Sequence, residues 1–155
     1  MTTNEKNRME QPRDIKFRGK RKSDGNWLYG CLINNVFHNM DQNEACCYII
    51  DLDVLGEYYD WEDIFQQLDE LQVIPESVGQ YTGVKDVAST EIYENDYILH
   101  GQSQRVVKYR GCNWHAIRVS GDETILLTFS ENPKVVGNTT DHSEFPHHPT
   151  KGGGR

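Results

Sequence analysis

Arg105-Val-Val-Lys-Tyr-Arg-Gly-Cys-Asn-Trp-His-Ala-Ile-Arg-Val119 is the stretch that decides the fold class. Val106, Val107 and Tyr109 make one short apolar strand, and Trp114 to Val119 pairs naturally with it across Arg110-Gly111-Cys112-Asn113. That is a β-hairpin pattern, two short runs joined by a glycine-bearing connection. Downstream, Gly121-Asp122 marks a further turn, Thr124 to Phe129 a strand, and Lys134 to Asn138 a last one. Upstream, Glu91 to Leu99 reads as a strand as well. Strands this short at this spacing predict a small barrel or sandwich over residues 73–140.

Toward the N-terminus the β pattern continues. Arg13-Asp-Ile-Lys-Phe-Arg18 alternates, with Ile15 and Phe17 on one side and charges on the other, as a half-exposed strand does. Asp24-Gly25 supplies turn chemistry, and Trp27 to Ile33 returns antiparallel. A short strand near Val36 and Phe37 and another over Ala45 to Leu55 follow. Only one segment reads as a helix. From Asp60 to Leu71, Trp61, Ile64, Phe65, Leu68 and Leu71 fall on one face, Asp60 is placed to cap, and Glu62 and Asp63 complement the helix dipole. Pro75 forbids continuation. The expected fold is therefore mainly β, a β-rich α+β chain of short antiparallel strands with one short helix near 60–71. The expected organisation is a disordered leader (1–12), an N-terminal β-rich subdomain with the helix (13–72), a C-terminal small β-barrel (73–140) and a flexible tail (141–155).

Composition agrees: thirteen glycines and eight tyrosines among 155 residues suit a turn-rich β protein. No apolar run approaches the roughly 18–20 residues that cross a bilayer, and Met1 to Pro12 has no signal-peptide core. A cytoplasmic protein is expected, one without membrane association. Cys31, Cys46, Cys47 and Cys112 form no C-x-x-C pair and read as buried, reduced thiols. The net charge of −8 is unevenly spread: residues 1–25 carry +4 and residues 41–76 carry −11 with no lysine or arginine. An acidic chain as a whole is not drawn to a phosphate backbone. A basic ribbon and an acidic middle are what two surfaces that meet would carry.

Two stretches carry a resemblance. Val73-Ile-Pro-Glu-Ser-Val-Gly-Gln-Tyr-Thr-Gly-Val-Lys-Asp86, followed by Glu91-Ile-Tyr-Glu-Asn-Asp96, resembles the signature of the YopX-like family of phage and prophage proteins. Val135-Val-Gly-Asn138 is similar to that family's closing segment, and Arg13 to Arg18 and Trp27-x-Tyr29-Gly30 to its opening strands. The positions that carry the match are Pro75, Gly79, Gln80, Tyr81, Thr82, Gly83, Asp86, Ile92, Tyr93, Asp96, Gly137 and Asn138. The chain departs from the pattern at Val87-Ala88-Ser89-Thr90, where the family commonly has an asparagine-glycine turn, and at Asn95, where it usually has glycine. Asparagine is the best non-glycine visitor to the left-handed region, and the Glu94-Asn-Asp96 turn, entering a strand with Ile98 after it, looks like the opening of a small SH3-like barrel. The resemblance implies a phage or mobile-element origin and an accessory role. It supplies no catalytic residue.

Candidate chemistry is sparse. Asp51 and Asp53, with Asp60, Glu62 and Asp63, could gather a divalent cation for a metal-dependent nuclease; the competing reading, a solvated acidic face, is favoured. The histidines His142, His147 and His148 lack the second anchored pair that a zinc site needs. There is no nucleophile elbow, P-loop or dinucleotide fingerprint. Lys16, Arg18, Lys20, Arg21 and Lys22, with Phe17 and Trp27 near, form a candidate nucleic-acid contact by charge and stacking. Against it stands a solubilised edge strand with core aromatics. No metal, cofactor or catalytic residue is expected. The leading expectation is a non-enzymatic protein that binds an unidentified protein partner or itself as a homo-oligomer, with nucleic-acid binding through the ribbon as the alternative.

Overall fold

The computed structural model describes residues 14–34, 46–51, 62, 68–120, 124–126 and 133–143. Eleven strands are defined there: β1 Phe17–Lys20, β2 Trp27–Asn34, β3 Cys47–Ile50, β4 Gln72–Val73, β5 Gly79–Lys85, β6 Glu91–Tyr93, β7 Asp96–His100, β8 Ser103–Arg110, β9 Asn113–Arg118, β10 Thr124–Leu126 and β11 Lys134–Asn138. They form two antiparallel sheets, ordered β4-β3-β2-β1-β5-β6 and β10-β9-β8-β7-β11. The fold is mainly β, as expected. Helix α1 spans Leu68–Leu71, at the end of the expected helix, most of which lies outside the described residues. So do the strand near Val36 and Phe37, the leader, the residues after Ser143 and Asp53.

The hairpin that decided the fold class is present. β8 and β9 pair from Arg105↔Arg118 to Arg110↔Asn113 around Gly111-Cys112, both at positive φ (53° and 69°). That is the turn geometry whose twist matches the strands it joins.

The expected single strand Glu91 to Leu99 is two strands, and this is a correction. Glu94 and Asn95 turn the chain between β6 in the first sheet and β7 in the second. Asn95 takes φ 69°, in the left-handed region, and its backbone fastens the turn to the second sheet. Its N–H donates to Val107 O (2.9 Å) and its carbonyl accepts from Thr139 N (3.0 Å).

The β5–β6 hairpin belongs to both halves. By hydrogen bonding it extends the first sheet, through Phe17↔Gln80 and Arg18↔Gly79. By packing it closes the second sheet's core, where Val84 and Ile92 lie against Ile98, Val107 and Ala116, with Trp114, Ile125 and Val135 around them. The line expected at 72/73 therefore falls just ahead of a hairpin shared by the two sheets.

Glycines sit where side chains have no room. A Cβ on Gly79 would stand 2.6 Å from Glu94 O, and one on Gly30 2.1 Å from Ile50 O. The cysteines are free, but not all buried as expected: Cys112 is exposed at the hairpin turn, and Cys31, Cys46 and Cys47 are half-buried.

Candidate functional site

Alternation along β1 puts Lys16, Arg18 and Lys20 on one face, and the register brings aromatic rings onto that face from its neighbours. Tyr29 stands opposite Arg18, and Trp27 opposite Lys20. Tyr81 pairs with Tyr93 across β5 and β6. The Arg18 guanidinium lies over both the Trp27 ring (4.7 Å) and the Tyr93 ring (4.9 Å), and Lys16 Nζ over Tyr81 (5.0 Å). Tyr93 in turn meets Tyr29 edge-on at 5.7 Å. Such cation–π contacts are worth most when water is excluded.

Each ribbon cation but one finds a carboxylate. Arg18 donates to Asp96 at the start of β7, a pair buried on both sides, and Asp96 also accepts from Tyr93 N (2.8 Å). Burial pushes the Asp96 carboxyl up, against the pull of Arg18 and the Tyr93 N–H. Lys16 donates to Glu91 (2.6 Å) and lies 3.2 Å from Asp14. Glu91 also accepts from Tyr93 Oη at 2.8 Å. Burial works against charge on both Lys16 and Glu91, but their mutual bond, together with Asp14 beside the lysine and Tyr93 and Lys85 beside the glutamate, outweighs it, raising the lysine and lowering the glutamate. For Tyr93, burial and the Glu91 bond push the phenol far upward. Lys20 pairs with Asp141, which also accepts from Trp27 Nε1 (2.9 Å) and Asn138 Nδ2 (3.0 Å). Those donors overcome the burial penalty and hold the Asp141 carboxyl at about 2. Arg21 meets Asp24 (3.2 Å) and Glu70 (3.5 Å). Lys22 is exposed and has no ion-pair partner among the described residues.

So the basic ribbon meets acidic groups of its own chain, whereas most of the acidic middle expected to face it (41–76) lies outside the described residues. The acids are Glu91, Asp96 and Asp141 from later strands and turns, with Glu70 from the acidic middle segment. The expectation of Asp51 and Asp53 on one strand face reaches only as far as Asp51, which lies just past β3 and is exposed. Among the described residues no group of three or more histidine, cysteine or carboxylate side chains could hold a metal ion. No helix among them is long and apolar enough to cross a membrane.

The sheet opens beside this face. β2 pairs with β1 up to Phe17↔Gly30 and with β3 from Cys31↔Ile50 onward, changing partner at Gly30. Where the two diverge there is a cleft of about 380 Å³, with Asp14, Ile15 and Lys16 on one wall and Tyr29, Gly30, Cys31 and Asp51 on the other. Ile15 and Tyr29 remain 58% and 46% exposed. Sequence alternation placed Ile15 on an apolar side, but the partner switch that leaves it uncovered has no local sequence signal except Gly30.

The signature positions resolve into joints. Gly79 admits Glu94 O, and Gln80 O accepts from Glu94 N at 2.9 Å. Thr82 Oγ1 donates to Ile92 O (2.8 Å) and accepts from Val84 N (3.1 Å), bracing the irregular register between Tyr81 and Lys85, where Gly83 takes φ 83°. Asp86 replaces the missing asparagine-glycine turn. Its Oδ1 accepts from Ala88 N and Thr90 N (2.8 Å each), Ser89 takes φ 66°, and Oδ2 reaches Val135 N at 3.1 Å. Those backbone donors prevail over burial and lower the Asp86 carboxyl. Pro75 starts a 3-10 turn, Pro75–Ser77, whose Ser77 Oγ accepts from Lys20 N (2.7 Å). Gly137 leaves room for the His142 ring, and Asn138 Oδ1 caps the following turn through Thr140 N and Asp141 N.

The molecule is thus a two-sheet antiparallel β protein whose basic strand is latched to the second sheet by the buried Arg18–Asp96 pair. Residues 16–145 match the family model described as YopX protein, and the chain belongs to the YopX family. Among solved structures it is similar to the crystal structure of protein EF1440 from Enterococcus faecalis, at 16% identity and a TM-score of 0.45, covering 84% of this chain and 96% of that one. Comparison with the curated proteins finds no match.

Proposed function

We propose that this protein works by binding another protein, or a second copy of itself, through the cleft beside β1, as an accessory protein of phage or prophage origin acting in the bacterial cytoplasm without bond-making chemistry. The observation that supports the reading is the pair Ile15 and Tyr29, held in water on opposite walls of the cleft. Tyrosine is a favoured interface residue because it offers a large apolar body with a polar tip. Covering both side chains returns on the order of 25 cal/mol for each Å² of apolar surface removed from water. Asp14, Lys16 and Asp51 around the rim supply charges that fix orientation.

Nucleic-acid binding through the ribbon rested on free cations, and Lys16, Arg18, Lys20 and Arg21 are all engaged with carboxylates of the same chain. The test is light scattering coupled to size exclusion at high protein concentration, and affinity capture from host cells, comparing wild type with Ile15→Asp/Tyr29→Asp. The double variant should lose the associated species while keeping the wild-type circular dichroism. Equal association by both proteins would sink the proposal.

A further inference from the structure

On the β1 face the same small assembly recurs: an aromatic ring, a cation over it and a carboxylate holding the cation. Arg18 lies over Tyr93 (4.9 Å) and Trp27 (4.7 Å) and bonds Asp96. Lys16 lies over Tyr81 (5.0 Å) and bonds Glu91, and Lys20 lies over Trp27 (5.8 Å) and bonds Asp141. Tyr29 is the exception. It stands directly opposite Arg18, so its ring belongs to this face. It meets Tyr93 edge-on at 5.7 Å, yet no cation of the described residues lies over it. It is also the tyrosine of this group that water reaches, 46% exposed against 2% for Tyr93 and 6% for Tyr81. Carboxylates are at hand. Tyr29 lines the cleft together with Asp14 and Asp51, both exposed. The Asp14 carboxylate, 3.2 Å from Lys16 Nζ, is on the Tyr29 side of the sheet. Lys16 is the one cation of the lining, and its ammonium is held more closely by Glu91, at 2.6 Å.

We infer that the cleft is a seat for a basic side chain, an arginine or lysine of the bound protein, laid over the Tyr29 ring with its charge turned toward Asp14 and Asp51. This rests on the reading of the cleft as a protein-binding surface and adds the chemistry of what enters it. The ring and the carboxylates are in place, and the partner supplies the cation that the chain itself supplies at Tyr81, Tyr93 and Trp27. A cation is attracted to the face of an aromatic ring, and more strongly as water is displaced. Two carboxylates against one already engaged ammonium also give the cleft a negative field, which draws a basic group in and turns a phosphate or an acidic segment away. The apolar stem of an arginine or lysine suits the Ile15 side chain beside it, since such stems lie along apolar surface while their heads stay with charge.

The test is a nuclear magnetic resonance titration of the nitrogen-15-labelled full chain at low salt with N-acetyl-arginine amide and N-acetyl-lysine amide. Beside them run N-acetyl-citrulline amide, which has the shape of the arginine without its charge, and N-acetyl-leucine amide. The two basic probes should move the backbone amides of Tyr29, Gly30 and Cys31 saturably, and the two neutral ones should not. Tyr29→Leu should weaken the basic probes about two- to fivefold, the range of one exposed cation–π contact, while Tyr29→Phe keeps their affinity. Asp14→Asn/Asp51→Asn should weaken them and flatten their salt dependence. These are exposed positions, and circular dichroism with a urea melt should confirm an unchanged fold. Equal shifts from the citrulline probe, or affinity unchanged in Tyr29→Leu, overturn the inference. The leucine probe moving the same amides as strongly overturns it by assigning the cleft to an apolar segment. No shift from either basic probe overturns it as well. In that case association that is lost with Ile15→Asp/Tyr29→Asp leaves the protein-binding reading standing, and association equal in the two proteins removes both.

Discussion

Replacing Asp96 with asparagine is the sharpest test of how the two sheets are joined. The Asp96 side chain is 1% exposed and that of Arg18 10%, and the pair spans the junction between β1 and β7. Asparagine fits the space, and its carbonyl can still accept the Tyr93 N–H. Its amide NH₂ must then face the guanidinium, donor against donor. Arg18 cannot shed its charge, so it is left buried and uncompensated. Breaking such a pair from one side costs about 3–5 kcal/mol, a large share of the roughly 5–15 kcal/mol that holds a domain together. In urea, with an m-value of roughly 2 kcal/mol/M, the midpoint should fall by about 2 M. Trp27, in contact with Arg18, provides the fluorescence signal. Arg18→Met should behave differently. It leaves a buried carboxylate, already pushed up by burial, with only the Tyr93 N–H to favour its ionised form, so Asp96 takes up a proton. A carboxyl whose native pKa exceeds its unfolded value binds more protons when folded, so stability falls as pH rises from about 4 through the native value. The R18M deficit should therefore grow between pH 4 and pH 7, while the D96N deficit, in a variant without that carboxyl, does not grow. Adding R18M to D96N should recover stability, since the stranded cation goes. A D96N cost below about 1 kcal/mol, or parallel pH profiles for the two variants, would refute the idea that this pair latches the sheets.

Asp141→Asn should cost about 1 kcal/mol at pH 7: the full shift corresponds to about 2.4 kcal/mol, discounted for the solvent that reaches the carboxylate. Because the native value is depressed, that contribution is present above about pH 4 and is lost as pH falls toward 2, so acid titration of the wild type should show a loss of stability in that window which D141N lacks. Gly79→Ala places a methyl 2.6 Å from Glu94 O, a backbone atom with little freedom, and should destabilise by about 1–3 kcal/mol in a urea melt. Cys112→Asn should raise stability by about 0.5 kcal/mol and accelerate folding if the hairpin forms early, because asparagine tolerates the left-handed φ of 69° better than cysteine.

Period-2 alternation and turn residues made the strands legible, because both are local. Ile15 and Phe17 against their charged neighbours, and Gly111 between two apolar runs, needed no knowledge of the rest of the chain. The break at Glu94-Asn95 was half legible. The resemblance pointed to asparagine in a glycine position, but Ile92, Tyr93, Tyr97 and Ile98 form a pattern that reads through the turn as one strand. The turn at Val87 to Thr90 defeated composition altogether, since its chemistry comes from the Asp86 side chain and from Val135 far along the chain. The ribbon is the plainest case. Lys16, Arg18 and Lys20 look like a free basic stripe because their partners lie 75, 78 and 121 positions away, at Glu91, Asp96 and Asp141. Asp141 fell in the stretch read as a flexible tail, yet it ties Trp27, Lys20 and Asn138 together.

The family signature describes how the chain is joined. Tyr93 and Asp96 hold Arg18, Gly79 and Gln80 admit the Glu94 turn, Thr82 and Asp86 fasten the shared hairpin, and Gly137 with Asn138 positions Asp141 over Lys20. Each of these acts through a backbone contact or a bond within the chain, and the Asp96 carboxylate, between an arginine and an amide, is closed off from solvent. Positions that build a frame leave its exposed parts free to differ between relatives. On the proposed reading the partner is chosen by residues outside the signature, Ile15 and Tyr29 among them. Exchanging those side chains with a relative's should then transfer binding while the melting behaviour stays the same.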